Sequence, residues 1–362
     1  MLEKEYACLF SLCQGIGTRK MKVLRERFGS LAKAWKSRDK YEWRSLGFSD
    51  KEIALVAAHF IKINSKDVFA KIKAAKLEYV SYWDDDYPSM LKEIHGAPIV
   101  LYYQGDIGIV KQSCLAVVGT RSCSGYGQKI VMKFVPDLVK QNLVLVSGMA
   151  LGIDSLVHYE CIKAGGPTVA VLGGGIDVVA SMGNGKLIAK IVAGGGLVMS
   201  EYGADFKPQP WCFPARNRIV SGLSRGVLVI EAPFKSGALI TANLALEQNR
   251  SVLAVPGDIF RSSSVGCHEL IKKGACLVQD IDDILVELGL MESKTKRVAF
   301  VYKPENELEA EIIGLLKLSD LYLDEVVAKT NVQTSELISA LNILAMKGVV
   351  SEMSGGKWTL LK

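Results

Sequence analysis

Three short apolar runs, each broken by a turn of small residues, most constrain what this chain can fold into. Cys114 to Val118 breaks at Gly119-Thr120-Arg121-Ser122-Cys123-Ser124-Gly125. Leu143 to Val146 breaks at Ser147-Gly148-Met149-Ala150-Leu151-Gly152, and Thr168 to Leu172 at Gly173-Gly174-Gly175. Apolar runs of this length without polar alternation read as strands buried on both faces of a parallel sheet. Helical patterns lie between and after them, Gln128 to Lys140 and Lys186 to Ala193 among them. Further strands are predicted at Gly196 to Ser200, Gly226 to Glu231 and Ser251 to Val255, with a helix at Leu239 to Gln248. Strands alternating with helices make an α/β fold with a doubly wound parallel sheet. The three glycine turns should then line the edge of that sheet where such folds hold ligands, and N–H groups at helix starts favour anions there.

The 362 residues, 49% of them hydrophobic, suffice for two or three domains. The opening Met1-Leu2-Glu3-Lys4-Glu5 is charged and no apolar run reaches membrane-spanning length, so a cytoplasmic protein with no membrane association is expected. Eight scattered cysteines without a C-x-x-C pair argue against a zinc site or disulfide framework. Charge is unevenly spread. Residues 1–79 carry 17 Lys and Arg against 9 Asp and Glu, and residues 303–362 carry 6 against 9. A basic head favours nucleic acid, and an acidic tail does not.

Residues 1–79 read as a head of short helices. Within it, Leu12 to Met21 fits a helix, a Gly15-x-Gly17 turn and a second helix. That pattern suits a phosphate-holding helix-hairpin-helix element, and equally a turn that glycine merely permits. Trp83-Asp84-Asp85-Asp86-Tyr87-Pro88 reads as a solvated turn rather than a metal site, and Ile99 to Tyr103 as a strand. Residues 80–290 form the sheet domain, with Glu292 to Arg297 a linker beyond it. Residues 303–362 offer three amphipathic helices (Leu308 to Leu316, Tyr322 to Thr330, Thr334 to Met346) and a hairpin, which together read as a winged-helix domain. Its recognition-helix position carries Glu336 and no Lys or Arg, so a role in protein contact or packing is expected.

Three constellations could carry chemistry. The turn Gly119 to Gly127 lacks the spacing of a dinucleotide fingerprint, and no acidic residue ends the next strand. No cofactor is expected, whereas a phosphate backbone suits the turn. Arg216, Asn217 and Arg218 beside Trp211 and Phe213 pair cations with aromatic rings, as single-stranded nucleic acid requires. The same arginines would serve equally as partners of carboxylates at the sheet edge. Ser147, Asp154 and His158 suggest a hydrolytic triad, but no Gly-x-Ser-x-Gly elbow is present and a structural role is expected.

These motifs resemble the DprA/Smf family of bacterial DNA-processing proteins over nearly the whole chain. The resemblance rests on Val118 to Arg121 with Tyr126-Gly127, Ser147 to Asp154 with His158, Ala170 to Asp177, Phe213 to Leu223, Lys235 to Ala242 and Ala254 to Gly257. It implies an extended Rossmann-like core between a helical head, similar to a SAM or helix-hairpin-helix domain, and a winged-helix tail. It further implies a protein that is not an enzyme. Such a protein binds and protects incoming single-stranded DNA, helps load the RecA recombinase during natural transformation, and dimerises through the core. Carried onto this chain, the DNA contacts are Gly119, Arg121, Ser147, Gly148, Phe213, Arg216, Asn217, Arg218, Lys235, Ser236 and Gly237, with no metal and no catalytic residue. Leu151 stands where a cation is usual, Ala180-Ser181 where Tyr-Pro is usual, and His268 where asparagine is usual. The rival reading is a nucleotide-processing enzyme, such as a phosphoribohydrolase, with Asp154, Asp177 or Glu201 as its acid.

Overall fold

The computed structural model describes residues 1–13, 15–37, 39–291, 304–330, 332–353 and 356–360. Two compact units result, residues 1–291 and 292–362; the linker expected at Glu292 to Arg297 lies outside the described residues.

The first unit is built on a nine-stranded sheet: β1 (Glu78–Ser81), β2 (Val100–Gly105), β3 (Cys114–Val118), β4 (Val144–Ser147), β5 (Thr168–Leu172), β6 (Leu197–Ser200), β7 (Gly226–Val229), β8 (Ser251–Ala254) and β9 (Cys276–Leu277). The strand order is β1-β2-β6-β5-β4-β3-β7-β8-β9. From β6 to β9 every pairing is parallel. The doubly wound parallel sheet expected from the sequence is thus present, extended at the β1 end by two strands that pair antiparallel. The chain enters β3 at the centre, winds outward through β4, β5 and β6, then returns to start β7 on the other side of β3. That reversal makes the β3 terminus a topological switch point, with a crevice at the carboxyl ends of the strands.

Both faces of the sheet are covered, as buried runs require. Leu115, Val117, Leu145 and Leu228 point to one face, against Val131, Phe134, Ile153 and Val157 from the helices Gly125–Lys140 and Ile153–Lys163. The alternate residues Ala116, Val118, Val146 and Val227 pack against Ile219, Val220, Ala238 and Ala242 from the helices Cys212–Gly222 and Gly237–Glu247. The six head helices, Glu3–Ser11 through Ser65–Ala74, pack Phe10, Met21 and Trp43 into a cluster that includes Tyr102, Leu172 and Val198 of the sheet. Head and sheet thus share one core, and the Tyr102 hydroxyl meets Cys8 Sγ at 3.1 Å.

Several local expectations resolve here. The turn before the helix Thr18–Phe28 has Gly15 at φ +93°, Thr18 Oγ1 donates to Ala97 O at 2.9 Å, and Lys20 is bonded to Glu52. Asp84 accepts from Ser81 N, and Asp86 pairs with Lys111 at 3.0 Å, so the acidic triplet is a turn. Among the described residues no helix is long and apolar enough to cross a membrane.

Among its described residues the second unit holds three helices, Glu307–Leu318, Leu323–Thr330 and Thr334–Met346. With them goes an antiparallel sheet of β10 (Leu321–Tyr322), β11 (Val350–Glu352) and β12 (Lys357–Leu360) in the order β10-β12-β11. Its core is Ile312, Val326, Leu337, Leu341 and Leu344.

Candidate nucleic-acid interface

The turn after β3 is clamped from both sides. Thr120 N donates to Glu231 O, beyond β7, at 2.8 Å, and Ile153 N donates to Thr120 O at 3.3 Å. Glu231 itself is buried; its carboxylate accepts from Ser124 N at 3.0 Å, from Ser124 Oγ at 2.6 Å and from Ser263 Oγ at 3.1 Å. A carboxylate beside the start of the 16-residue helix Gly125–Lys140 also suits the positive end of its dipole. Sequence reasoning passed over Glu231, whose position just past a strand end was the only available sign. The clamp fixes the backbone from which the exposed Arg121 projects.

Beside that turn, at the ends of β3, β4 and β7, opens a cavity of about 600 Å³, a size usual for small-ligand clefts (about 300–1,000 Å³). Gly119, Arg121, Gly148, Phe213, Arg216, Asn217, Lys235, Ser236 and Gly237 all line it, so nine of the eleven residues named from sequence converge. Ser147 and Arg218 do not line it. Ser147 is buried and donates to Val117 O at 2.7 Å. Arg218 Nη2 donates to both carboxylate oxygens of Glu201, at 2.6 and 2.5 Å, which is the carboxylate partnership the sequence left open.

Arg216 lines the cavity from inside the protein. It is 5% exposed; Nη1 donates to Gly148 O and Val171 O, and Nε donates to Asn217 Oδ1 at 3.2 Å. The guanidinium lies so close over Gly148 that a Cβ there would come within 2.6 Å of Nη1; only glycine leaves that room. Asp154, also buried, is its charge partner: burial pushes the Asp154 carboxyl up, against the downward pull of Arg216. Arg216 therefore braces the ends of β4 and β5.

The exposed cations are Arg121 and Lys235, neither in an ion pair among the described residues. The Arg121 guanidinium sits 5.8 Å from the centre of the Phe213 ring, and Phe213 is 37% exposed. Ser236 caps the helix Gly237–Glu247 by accepting from Ala238 N, and nothing lies within 4 Å of where a Gly237 Cβ would stand. A helix start with open backbone, flanked by two free cations, is a ready anion site.

The third glycine turn is closed. A Cβ on Gly173 would meet the Phe213 ring at 3.0 Å and one on Gly174 would meet Pro208 at 2.5 Å, while Gly175 N donates to Phe206 O at 2.9 Å. Residues 203–213 cover it, held by Tyr202 stacked on Phe206 and by Trp211 edge-on to both. The expectation that three turns line the ligand edge is thus corrected to two.

No hydrolytic triad is assembled. Thr168 Oγ1 gives its proton to Leu145 O at 2.8 Å, so His158 Nδ1, 2.8 Å from that oxygen, must carry the hydrogen and donate to it. Burial holds the His158 pKa down to about 3, with Arg216 adding to the effect. The imidazole is neutral and bonded away from Ser147 and Asp154. Of the three unusual positions, His268 Nε2 lies 3.0 Å from Gly257 O and Ser181 Oγ donates to Val178 O. Leu151 stands 76% exposed on the loop between Gly148 and Gly152.

The family described as DNA recombination-mediator protein A matches residues 78–289. DNA processing protein DprA of Streptococcus pneumoniae is 45% identical over 212 residues, 59% of this chain and 74% of that protein. An X-ray structure of DprA from that species, 36% identical, aligns over 79% of this chain and 97% of its own with a TM-score of 0.68. Protein Smf of Synechocystis is 32% identical and spans 98% of both chains. DNA processing protein A from Helicobacter pylori, whose structure concerns a single-stranded DNA binding mode, is 29% identical. It aligns over 59% of this chain and 97% of its own with a TM-score of 0.53.

Proposed function

Because this chain belongs to the DNA recombination-mediator protein A family, we propose that its cavity binds single-stranded DNA. One observation carries the reading. The unpaired Arg121 and Lys235, the open helix start at Gly237 and the accessible Phe213 ring meet on one cavity. Phosphates sit on the two cations and on the Gly237 backbone, and a base stacks on Phe213. Arg216 holds the cavity's shape and leaves phosphate contact to Arg121 and Lys235. Family membership also supports the wider role: protection of incoming DNA during natural transformation, loading of RecA recombinase, and a homodimer formed through the sheet domain.

The protein acts by binding rather than by turnover. Of the three acids the enzyme reading offers, Asp154 lines the cavity but is buried beside Arg216, Glu201 is held by Arg218, and Asp177 does not line the cavity. The acidic tail, with no cation on Thr334–Met346, serves protein contact rather than DNA.

The test is fluorescence anisotropy of labelled oligo-dT at several salt concentrations, beside a duplex of equal length. Binding should prefer the single strand and weaken with salt. Arg121→Glu should cost about tenfold or more at low salt and flatten the log–log salt slope by about 0.7, the loss of one phosphate contact. Equal affinity of Arg121→Glu and wild type at every salt concentration sinks the assignment.

A further inference from the structure

The helical head carries a second surface, unlike the cavity in kind. The helix Asp50–Lys62 buries Ile53 and Val56 but turns Ala54, Leu55, Ala57, Ala58 and Ile61 outward. Ile61 is 81% exposed. A soluble helix normally offers solvent its polar face; this one offers an apolar stretch with charge, Asp50, Lys51 and Lys62, only at its two ends. Alongside runs a groove of about 110 Å³, lined by Trp43, Val56, Ala57, Phe60 and Ile61 with Lys40 at its edge. Trp43 is 3% exposed, and its indole N–H has no acceptor among the described residues, an unmet buried donor of the kind native folds rarely leave.

Charge defines what would cover this face. The carboxylates of the helices Lys40–Ser45 and Asp50–Lys62 are already committed, Glu42 to Arg27, Asp50 to Arg44 and Glu52 to Lys20. Asp39 caps the first of these helices by accepting from Tyr41 N, which leaves three exposed lysines against that one carboxylate. Lys40, Lys51 and Lys62 are exposed and in no ion pair among the described residues. Net positive charge therefore borders an apolar groove. Single-stranded DNA would want exposed aromatic faces in the groove, whereas Trp43 is sunk in its floor, the exposed Tyr41 ring stands outside its lining beside Arg44, and the outward residues of the helix's apolar stretch are Ala, Leu and Ile. We infer that this groove docks an acidic amphipathic helix of a partner protein, its apolar side against Ala57 and Ile61 and its carboxylates toward Lys40, Lys51 and Lys62. Small side chains let the partner backbone approach closely, and helix-in-groove docking needs no free strand edge.

The experiment uses the full-length protein and a labelled synthetic helix of about 18 residues, five turns, with Leu on one face and Glu elsewhere. A second peptide replaces every Glu by Lys. The acidic peptide should bind saturably and at least about tenfold tighter than the basic one. Ala57→Glu, which sets a carboxylate in the groove, and Lys40→Glu/Lys62→Glu, which reverses its border, should each weaken it about tenfold or more. Both variants alter exposed residues, so thermal unfolding and oligo-dT affinity should match wild type. Three results overturn the proposal: no saturable binding, equal binding of the two peptides, or indifference to Ala57→Glu. A fall in oligo-dT affinity for Lys40→Glu/Lys62→Glu, without a fall for the acidic peptide, overturns it too and assigns the face to nucleic acid.

Discussion

Truncating Arg216 separates bracing from ligand contact. In Arg216→Ala the carbonyls of Gly148 and Val171 lose their donor and buried Asp154 loses its charge partner. Hydrogen bonds from a charged group contribute about 1.5–3 kcal/mol each, so the two to carbonyls alone amount to about 3–6 kcal/mol. Leaving a buried carboxylate without its nearby compensating charge costs up to about 3–5 kcal/mol, Arg216 acting on Asp154 through its field rather than by direct contact. The two figures describe overlapping losses, so the expected destabilisation is about 3–5 kcal/mol, a large share of a folded unit's 5–15 kcal/mol. At a urea m-value near 3 kcal/mol/M the midpoint of the main transition should fall by roughly 1–1.7 M. Asp154→Asn in the Arg216→Ala background removes the stranded charge and should recover part of the loss, which a double-mutant cycle measures. Arg121→Ala, on an exposed and unpaired side chain, should leave the midpoint within about 0.5 kcal/mol of wild type. If Arg216→Ala unfolds where wild type does while losing DNA affinity as Arg121→Ala does, Arg216 is a ligand contact and the bracing argument fails.

Two other perturbations follow from the same geometry. His158 titrates near 3 when folded and near 6.5 when unfolded, so the unfolded chain binds the extra proton between those values. Its contribution to stability is complete above pH 6.5 and is lost at about 1.4 kcal/mol per pH unit as pH falls toward 3. His158→Gln should remove that component from the variant's own stability–pH curve, so the separation of the wild-type and variant curves, measured by urea titration, should change between pH 6.5 and 3; parallel curves would refute it. Leu151→Lys places a cation on the loop beside Gly148. The log–log salt slope for oligo-dT should steepen by about 0.7 with stability unchanged, and an unchanged slope would mean that the bound strand does not pass Leu151.

Much of this was legible in the chain. Strands that alternate with helices announce themselves through unbroken apolar runs, and β5 and the helix Thr334–Met346 coincide with their predicted limits. Small-residue turns mark where strands end, because a close backbone approach tolerates no Cβ. Other features were not legible, for physical reasons. Short elements such as β9, two residues long, carry too little periodicity to register. The antiparallel pairing of β2 with β6 joins segments roughly a hundred residues apart, and nothing in either segment states its direction relative to the other.

The sequence by itself determined the parts: which residues form strands, which turns carry glycine, and that cations and rings gather near residue 216. Only the tertiary structure decided their work. Arg216 and Arg218 are two residues apart in the same helix, and composition treats them alike. One enters the space left by Gly148, 68 residues away, and the other closes on Glu201. Arg121 and Lys235 remain free because no carboxylate among the described residues reaches them. Likewise, two glycine turns open onto the cavity and the third lies beneath Pro208 and Phe213. Periodicity and turn chemistry act between neighbours along the chain, whereas the availability of a charge or a turn depends on what packs over it from afar.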